Sequence, residues 1–140
     1  NPSVLFRALH KDCVLTPHEG EFVRLFPDLQ GDKVSRAEKA AAIACCTVLI
    51  KGSETVIASP GRETVVQSAV APYLATAGSG DVLAGMITGL MAQGMPTFEA
   101  ACAGAYFHSK AGQSFGTGLV ASDLPDLIPF VLREFGPASS

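Results

Sequence analysis

Residues 78–81 combine two glycines, a serine and a carboxylate directly ahead of an apolar helical pattern. The first backbone N–H groups of a helix lack intrahelical partners, so a glycine-rich turn at this point is a ready anion site. Gly78 and Gly80 allow a ligand to approach the backbone closely. Asp81 would repel an anion that bound alone. A carboxylate beside an anion site instead suits proton abstraction from a hydroxyl while the amides hold a phosphoryl group.

A capped helix is the structural alternative for the same residues. An acidic residue in the first helical turn offsets the helix dipole by roughly 0.3–1 kcal/mol, which alone would explain Asp81. The run is not a dinucleotide-binding motif, because Leu83 stands where the third glycine is needed. It is not a Walker A loop either, since no Gly-Lys-Ser/Thr follows. Spacing alone leaves phosphoryl transfer and helix capping both open.

Two further segments carry polar residues directly after apolar runs. His18 and Glu21 are three residues apart and share a helix face, where they could orient a substrate hydroxyl and organise a metal–phosphate group. In residues 51–55, Lys51 is suited to contact a nucleotide phosphate, with Thr55 hydrogen-bonding. The alternatives are an ordinary helix start for the first pair and a hairpin turn with a solvated lysine for the second segment.

The elements that must position these residues alternate between strand and helix. Strands are predicted at 13–16, 47–50, 55–58 and 63–67, and helices at 19–26, 35–45, 81–93, 97–114 and 122–135. Ser35 and Glu38 have the spacing of a capping box. The pattern predicts an α/β fold with a mostly parallel sheet flanked by helices. Ligands bind such sheets at the carboxyl ends of the strands, where the three polar segments would converge.

Bulk composition narrows the class of protein. The 140 residues fit a single domain spanning 1–140 with a frayed tail at 136–140, and 48% are hydrophobic against 16% charged. The net charge is −3 without a basic cluster, which argues against nucleic acid. No apolar run reaches the ~18 residues of a membrane helix. The four cysteines lack CxxC spacing, so we expect no zinc site, no disulfide framework and a cytoplasmic location.

Four motifs in fixed order make the sequence recognisable. They occupy residues 15–22, 51–57, 75–85 and 118–124. Together they resemble the ADP/ATP-dependent NAD(P)H-hydrate dehydratases of the ribokinase-like superfamily, over about residues 12 to 135. The family domain is about twice as long, so the resemblance implies the C-terminal part of that domain. The start without a methionine also suggests that a longer chain contains these residues.

The resemblance implies a role for each matching residue. Asp81 corresponds to the catalytic carboxylate at the hydrated nicotinamide, and His18 to the histidine that contacts the hydrated dinucleotide. Glu21 corresponds to a glutamate that helps to organise Mg²⁺ and phosphate indirectly. The segments matching the adenine-nucleotide site are 51–55 and 71–80, and their site residues are Lys51, Gly52, Ser53, Glu54, Thr55, Ala77, Gly78, Ser79 and Gly80. Ala77 departs from the family, which commonly has glycine there.

The implied reaction is dehydration of (S)-NADHX or NADPHX to NADH or NADPH. ADP or ATP is the co-substrate, Mg²⁺ the metal, and the hydrate hydroxyl is phosphorylated before phosphate is eliminated. Expected partners are the NAD(P)H hydrate and the adenine nucleotide. Three further partners are left open: the missing N-terminal half of the domain, an epimerase domain fused upstream, and a second copy of the chain in a homo-oligomer.

Two other functions compete with this one. A small-molecule kinase of the same superfamily, acting on a vitamin precursor or a sugar, shares the glycine-rich turn and the base but usually has Asn in place of His18. A non-catalytic nucleotide-binding module would retain the fold without turnover. A stable phosphorylated product without NADH would favour the kinase, whereas nucleotide binding without turnover would favour the module.

Overall fold

The computed structural model describes residues 2–68 and 79–115. Its elements follow in the order α1 (Pro2–Ala8), β1 (Val14–Leu15), α2 (Glu19–Leu25), α3 (Lys33–Ala44), β2 (Thr47–Ile50), β3 (Glu54–Ala58), β4 (Val65–Ser68), α4 (Ser79–Ala92) and α5 (Thr97–Phe115). The predicted elements within these ranges are all present, and α1 is an additional helix that the sequence patterns did not indicate. The predicted helix at 122–135 lies outside the described residues.

The described strands form one sheet in the order β1-β2-β3-β4. β1 and β2 are parallel, with Val14 opposite Thr47, because helices α2 and α3 provide the long connection that parallel strands require. The other two pairs, β2 with β3 and β3 with β4, are antiparallel. The sheet is therefore mixed in the described part, and the expectation of a mostly parallel sheet is corrected there. Connections of a few residues can join only antiparallel neighbours.

Residues of β2 and β3 point alternately to the two faces of the sheet, and both faces are covered. Val48 and Ile50 pack with the buried residues of α2 and α3. Leu49 and Ile57 pack on the opposite face with buried residues of α4 and α5. All four residues of β2 are buried, which explains why the strand is a continuous apolar run rather than an alternating one.

Helix α3 begins two residues earlier than the sequence pattern predicts. Asp32 is its N-cap residue, and the Asp32 carboxylate accepts a hydrogen bond of 2.8 Å from the Ser35 backbone N–H. Glu38 instead accepts a hydrogen bond of 2.8 Å from the Thr64 hydroxyl in the turn before β4. The predicted capping box at Ser35 and Glu38 is therefore wrong, because Asp32 caps the helix and Glu38 is engaged by Thr64.

All four cysteines are free, as the sequence predicts. Cys46 is fully buried in the core beside α3, and burial raises the pKa of its thiol to about 11. Burial likewise raises the pKa of Cys102, on α5, to about 11. Across residues 2–68 and 79–115, none of the helices is both long and apolar enough to cross a membrane.

Candidate functional site

His18 and Glu21 form a reciprocal cap at the start of α2. The Glu21 backbone N–H donates to His18 Nδ1 at 3.1 Å, and the His18 backbone N–H donates to Glu21 Oε1 at 3.0 Å. This is a capping box with histidine in the N-cap position, where Ser, Thr, Asp or Asn is usual. Both side chains are about half exposed. The cap fixes the imidazole at the carboxyl end of β1.

The environment of Glu21 favours its charged form. The hydrogen bond from the His18 backbone lowers the pKa of Glu21, and the positive charges of Lys51 and Arg24 lower it further. Desolvation raises the pKa of Glu21 and is the second largest of these effects, ahead of the charges of Lys51 and Arg24. Lys51 therefore lies close enough to Glu21 to influence its ionisation, although α3 and β2 separate the two residues in sequence.

Backbone pairing continues past the ends of β1 and β2. The Lys51 N–H donates to the Pro17 carbonyl at 2.9 Å, and His18 forms an isolated parallel bridge with Lys51. These contacts hold the first two polar segments side by side at the carboxyl ends of the parallel strands. This is the edge of the sheet at which the sequence predicts the ligand site.

The third segment meets Lys51 at the start of α4. A Cβ atom placed on Gly80 would lie 2.7 Å from Lys51 Nζ, so the ammonium lies directly against the Gly80 backbone. A side chain at position 80 would displace it. Asp81 is exposed in the first turn of the same helix. The Lys51 ammonium thus lies at the start of α4, the helix whose first turn carries Asp81 and offers free N–H groups.

The remaining described residues of the predicted nucleotide site lie in the β2–β3 loop, at the start of β3 and at the start of α4. Gly52, Ser53 and Glu54 are exposed, whereas Thr55 is half-buried and pairs with Gln67 of β4. Ser79 begins α4. Ala77, Gly78 and the rest of 71–78 lie outside the described residues.

Sequence reasoning missed Lys33, which reaches this loop from the start of α3. Its ammonium donates to the Glu54 carbonyl oxygen, and a Cβ atom on Gly52 would lie 2.6 Å from Lys33 Nζ. Burial lowers the pKa of Lys33, and the nearby charges of Glu19 and Glu54 oppose that effect. No local pattern could reveal this contact, since 21 residues separate the two partners.

Among the residues that the structure describes, no three His, Cys, Asp or Glu side chains are grouped to hold a metal ion. Mg²⁺ often retains water and takes other ligands from substrate phosphates, with one or two carboxylates from the protein. Glu21, at the edge of the sheet, fits that sparse pattern as a carboxylate that would reach the ion indirectly. A separate cavity of about 310 Å³ lies between Phe22 and Arg36 and is lined by none of the predicted site residues.

Comparison with known proteins tests the family resemblance. The family model for NAD(P)H-hydrate dehydratase matches residues 2–129. This chain belongs to that family. The ADP-dependent (S)-NAD(P)H-hydrate dehydratase of Neisseria meningitidis is 43% identical over 124 residues, which cover 81% of this chain and 42% of the relative. The bifunctional NAD(P)H-hydrate repair enzyme Nnr of Moorella thermoacetica is 42% identical over 134 residues, covering 89% of this chain and 25% of that enzyme.

Solved structures confirm the ribokinase-like fold of this family member. The ADP/ATP-dependent NAD(P)H-hydrate dehydratase of Bacillus subtilis, co-crystallised with ATP and Mg²⁺ and soaked with CoA, matches with a TM-score of 0.79 and 31% identity. The match covers 87% of this chain and 48% of the Bacillus chain. Ribokinase from Thermotoga maritima matches with a TM-score of 0.66 at 21% identity, a likeness of fold alone. The chain spans about half the length of these solved structures.

Proposed function

We propose that this chain forms part of an enzyme that dehydrates (S)-NADHX or NADPHX to NADH or NADPH, using ADP or ATP. The observation that supports this most is the meeting of three distant segments at one edge of the sheet. His18 and Lys51 are bridged through their backbones, and the Lys51 ammonium lies against Gly80, next to Asp81. Family membership then favours the hydrated dinucleotide as the substrate.

The chemistry starts from a poor leaving group. Hydroxide leaves the hydrate reluctantly, whereas phosphate leaves readily. Asp81 would take the proton from the hydrate hydroxyl, and the freed oxygen would attack the terminal phosphorus of the nucleotide. The bond from that phosphorus to the remaining nucleotide breaks, leaving AMP from ADP or ADP from ATP. Breaking the carbon–oxygen bond then expels phosphate, with loss of a proton from the adjacent ring carbon, and restores the dihydropyridine.

His18 would orient the hydrate through Nε2. Its Nδ1 accepts the hydrogen bond from the Glu21 backbone, so the neutral ring carries its proton on Nε2. Nε2 lies 3.4 Å from Glu21 Oε1, and in place of this contact it would donate to an oxygen of the hydrated nicotinamide. The cap therefore selects the tautomer as well as the position of the ring.

The nucleotide would lie between the β2–β3 loop and the start of α4. Lys51 would contact a phosphate as a point charge, while residues 52–55 and 77–80 would enclose the adenine nucleotide. The free N–H groups at the start of α4 would hold the phosphoryl oxygens during transfer. Mg²⁺, when bound, neutralises phosphate charge, and Glu21 would reach it indirectly.

The proposal also covers the partners of this chain and its location in the cell. The bifunctional relatives, of which this chain spans a quarter, support an accompanying epimerase domain in the complete gene product. The free cysteines support a reducing, cytoplasmic location. A homo-oligomer stays a prediction.

The direct test is the absorbance of the dihydronicotinamide ring. (S)-NADHX, Mg²⁺ and ADP or ATP are added to the complete gene product and, in parallel, to residues 1–140 alone, with a control that lacks nucleotide. We expect NADH to form only with nucleotide, and one phosphate to appear for each NADH. A stable phosphorylated product from a hydroxymethyl substrate, with no NADH from the hydrate, would instead indicate the kinase.

A further inference from the structure

Lys33 connects the start of α3 to the loop after β2. Its ammonium donates to the Glu54 carbonyl and lies against the Gly52 backbone, whose ideal Cβ position is 2.6 Å away. The side chain is half-buried, in contrast to the exposed lysine Lys39 on the same helix. A hydrogen bond from a charged donor is among the stronger ones in proteins, and partial burial reduces its competition with water.

The loop that Lys33 contacts has few other attachments among the described residues. At one end the Lys51 N–H donates to the Pro17 carbonyl, and at the other Glu54 pairs with Ser68 of β4. Gly52 and Ser53, between these points, are exposed and belong to neither strand. Lys33 therefore lies against the loop at Gly52, which strand pairing does not hold, and donates to the carbonyl of Glu54, the first residue of β3.

We propose that Lys33 is a positioning residue that fixes the β2–β3 loop in the conformation that binds the adenine nucleotide. This inference rests on the proposed function, because that function assigns the nucleotide to residues 51–55. Lys33 acts through the main chain of Gly52 and Glu54, and its ammonium is occupied by a protein carbonyl rather than reserved for the nucleotide. Loss of the ammonium frees the loop, so the nucleotide must order it on binding and binds less tightly.

The test compares three variants of the complete gene product. Lys33→Met removes the ammonium but keeps an unbranched apolar chain, and Lys33→Arg keeps a cationic donor. Lys39→Met is the matched control, since Lys39 Nζ also donates to a carbonyl, that of Gln30 at 3.3 Å, away from the loop. The readouts are the dissociation constant of ADP by calorimetry, the KM values for nucleotide and hydrate, kcat and the melting temperature.

Lys33→Met should weaken ADP binding and raise the nucleotide KM about tenfold, while kcat and the hydrate KM change by less than about twofold. Lys33→Arg should restore most of the loss, and Lys39→Met should bind ADP as the wild type does. Equal ADP affinity in Lys33→Met and wild type, or equal shifts in both KM values, would overturn the role of Lys33.

The outcomes separate this inference from the function on which it rests. If the wild type binds ADP but makes no NADH, and Lys33→Met still binds ADP about tenfold more weakly, the role of Lys33 stands and the proposed reaction fails. If the wild type makes NADH and Lys33→Met binds ADP unchanged, only the role of Lys33 fails. A wild type that binds no nucleotide would overturn both.

Discussion

The pair His18 and Glu21 caps α2, and the proposed function assigns both residues to the site as well. As a capping box it satisfies two backbone N–H groups at the start of α2, the structural role that the sequence alone left open. The hydrogen bond from the His18 backbone also lowers the pKa of Glu21 and so favours its charged form near Lys51. The capping and functional interpretations of these residues are therefore compatible, because one geometry provides both.

Glu21 should make the stability of the protein depend on acid pH. Its pKa is lowered in the folded state, chiefly by the hydrogen bond from the His18 backbone. The resulting stability is fully present above the ordinary value of 4.5 and is lost as pH falls through the folded pKa. Glu21→Gln keeps an acceptor for the cap but does not titrate. The wild type should melt higher than this variant at pH 7.

The measurement is the melting temperature of both proteins from pH 7 to pH 3. We expect the difference between them to shrink below pH 4.5 as the wild-type carboxylate is protonated. Other acidic groups titrate in both proteins, so the difference reports Glu21. A difference that stays constant over this range would show that the charge of Glu21 does not contribute to stability.

For single residues, the sequence indicated which residue types could act and which near neighbours they contact. It did not indicate contacts between residues that are far apart in the chain. His18 and Glu21 were predicted from their three-residue spacing, and the structure brings them together. Lys33 was missed because its partner, Glu54, lies 21 residues away and accepts through a backbone carbonyl that any residue has. The roles assigned to Lys51 and Asp81 stay predictions, although the structure places both at the same edge of the sheet.

Close contact between α4 and α5 sets the position of the helix that carries Asp81. Gly104 of α5 faces Ile87 of α4, and a Cβ atom on Gly104 would lie 2.6 Å from Ile87 Cγ1. Ile87 is fully buried, so its side chain has little room to move. The absence of a side chain at Gly104 therefore permits the observed helix spacing.

Two glycine substitutions should change stability in opposite directions. Gly104→Ala forces Ile87 or α5 to shift and should destabilise the protein by about 1–3 kcal/mol. Gly89→Ala, in α4, meets no atom within 4 Å. It should stabilise the protein by about 0.5–1 kcal/mol, because alanine favours helix more than glycine does. Urea unfolding of both variants provides the measurement, and shifts of the same sign would contradict this account of the helix contact.

The sequence periodicity predicted most of the helices and strands. Their exact ends, and the parallel or antiparallel direction of the strand pairs, became known only from the structure. The apolar run Thr47–Ile50 and the amphipathic helices were predictable because burial governs both patterns. The start of α3 was misplaced because Asp32 and Ser35 are both good N-cap residues and only tertiary context selects one. The mixed sheet was not predicted, because the overall alternation of strands and helices was given more weight than the short loops before β3 and β4.

On the scale of the whole molecule, the sheet separates two apolar cores and presents the site at one end. Val48 and Ile50 belong to the core beside α2 and α3, and Leu49 and Ile57 to the core beside α4 and α5. The site draws one segment from each helical layer and one from the sheet between them. Both cores must therefore be packed for His18, Lys51 and Asp81 to meet, which ties the proposed activity to the integrity of the fold.

The central claim is that Asp81 is the base in a nucleotide-dependent dehydration, and one variant tests it. The kcat for NADH formation from (S)-NADHX is measured for the complete gene product, for Asp81→Asn and for Asp28→Asn, an exposed aspartate after α2. Asparagine has nearly the same shape but cannot accept the proton, so Asp81→Asn should lose about 10²- to 10⁴-fold in kcat. Asp28→Asn should match the wild type. An Asp81→Asn protein that dehydrates NADHX at nearly the wild-type rate would contradict the account.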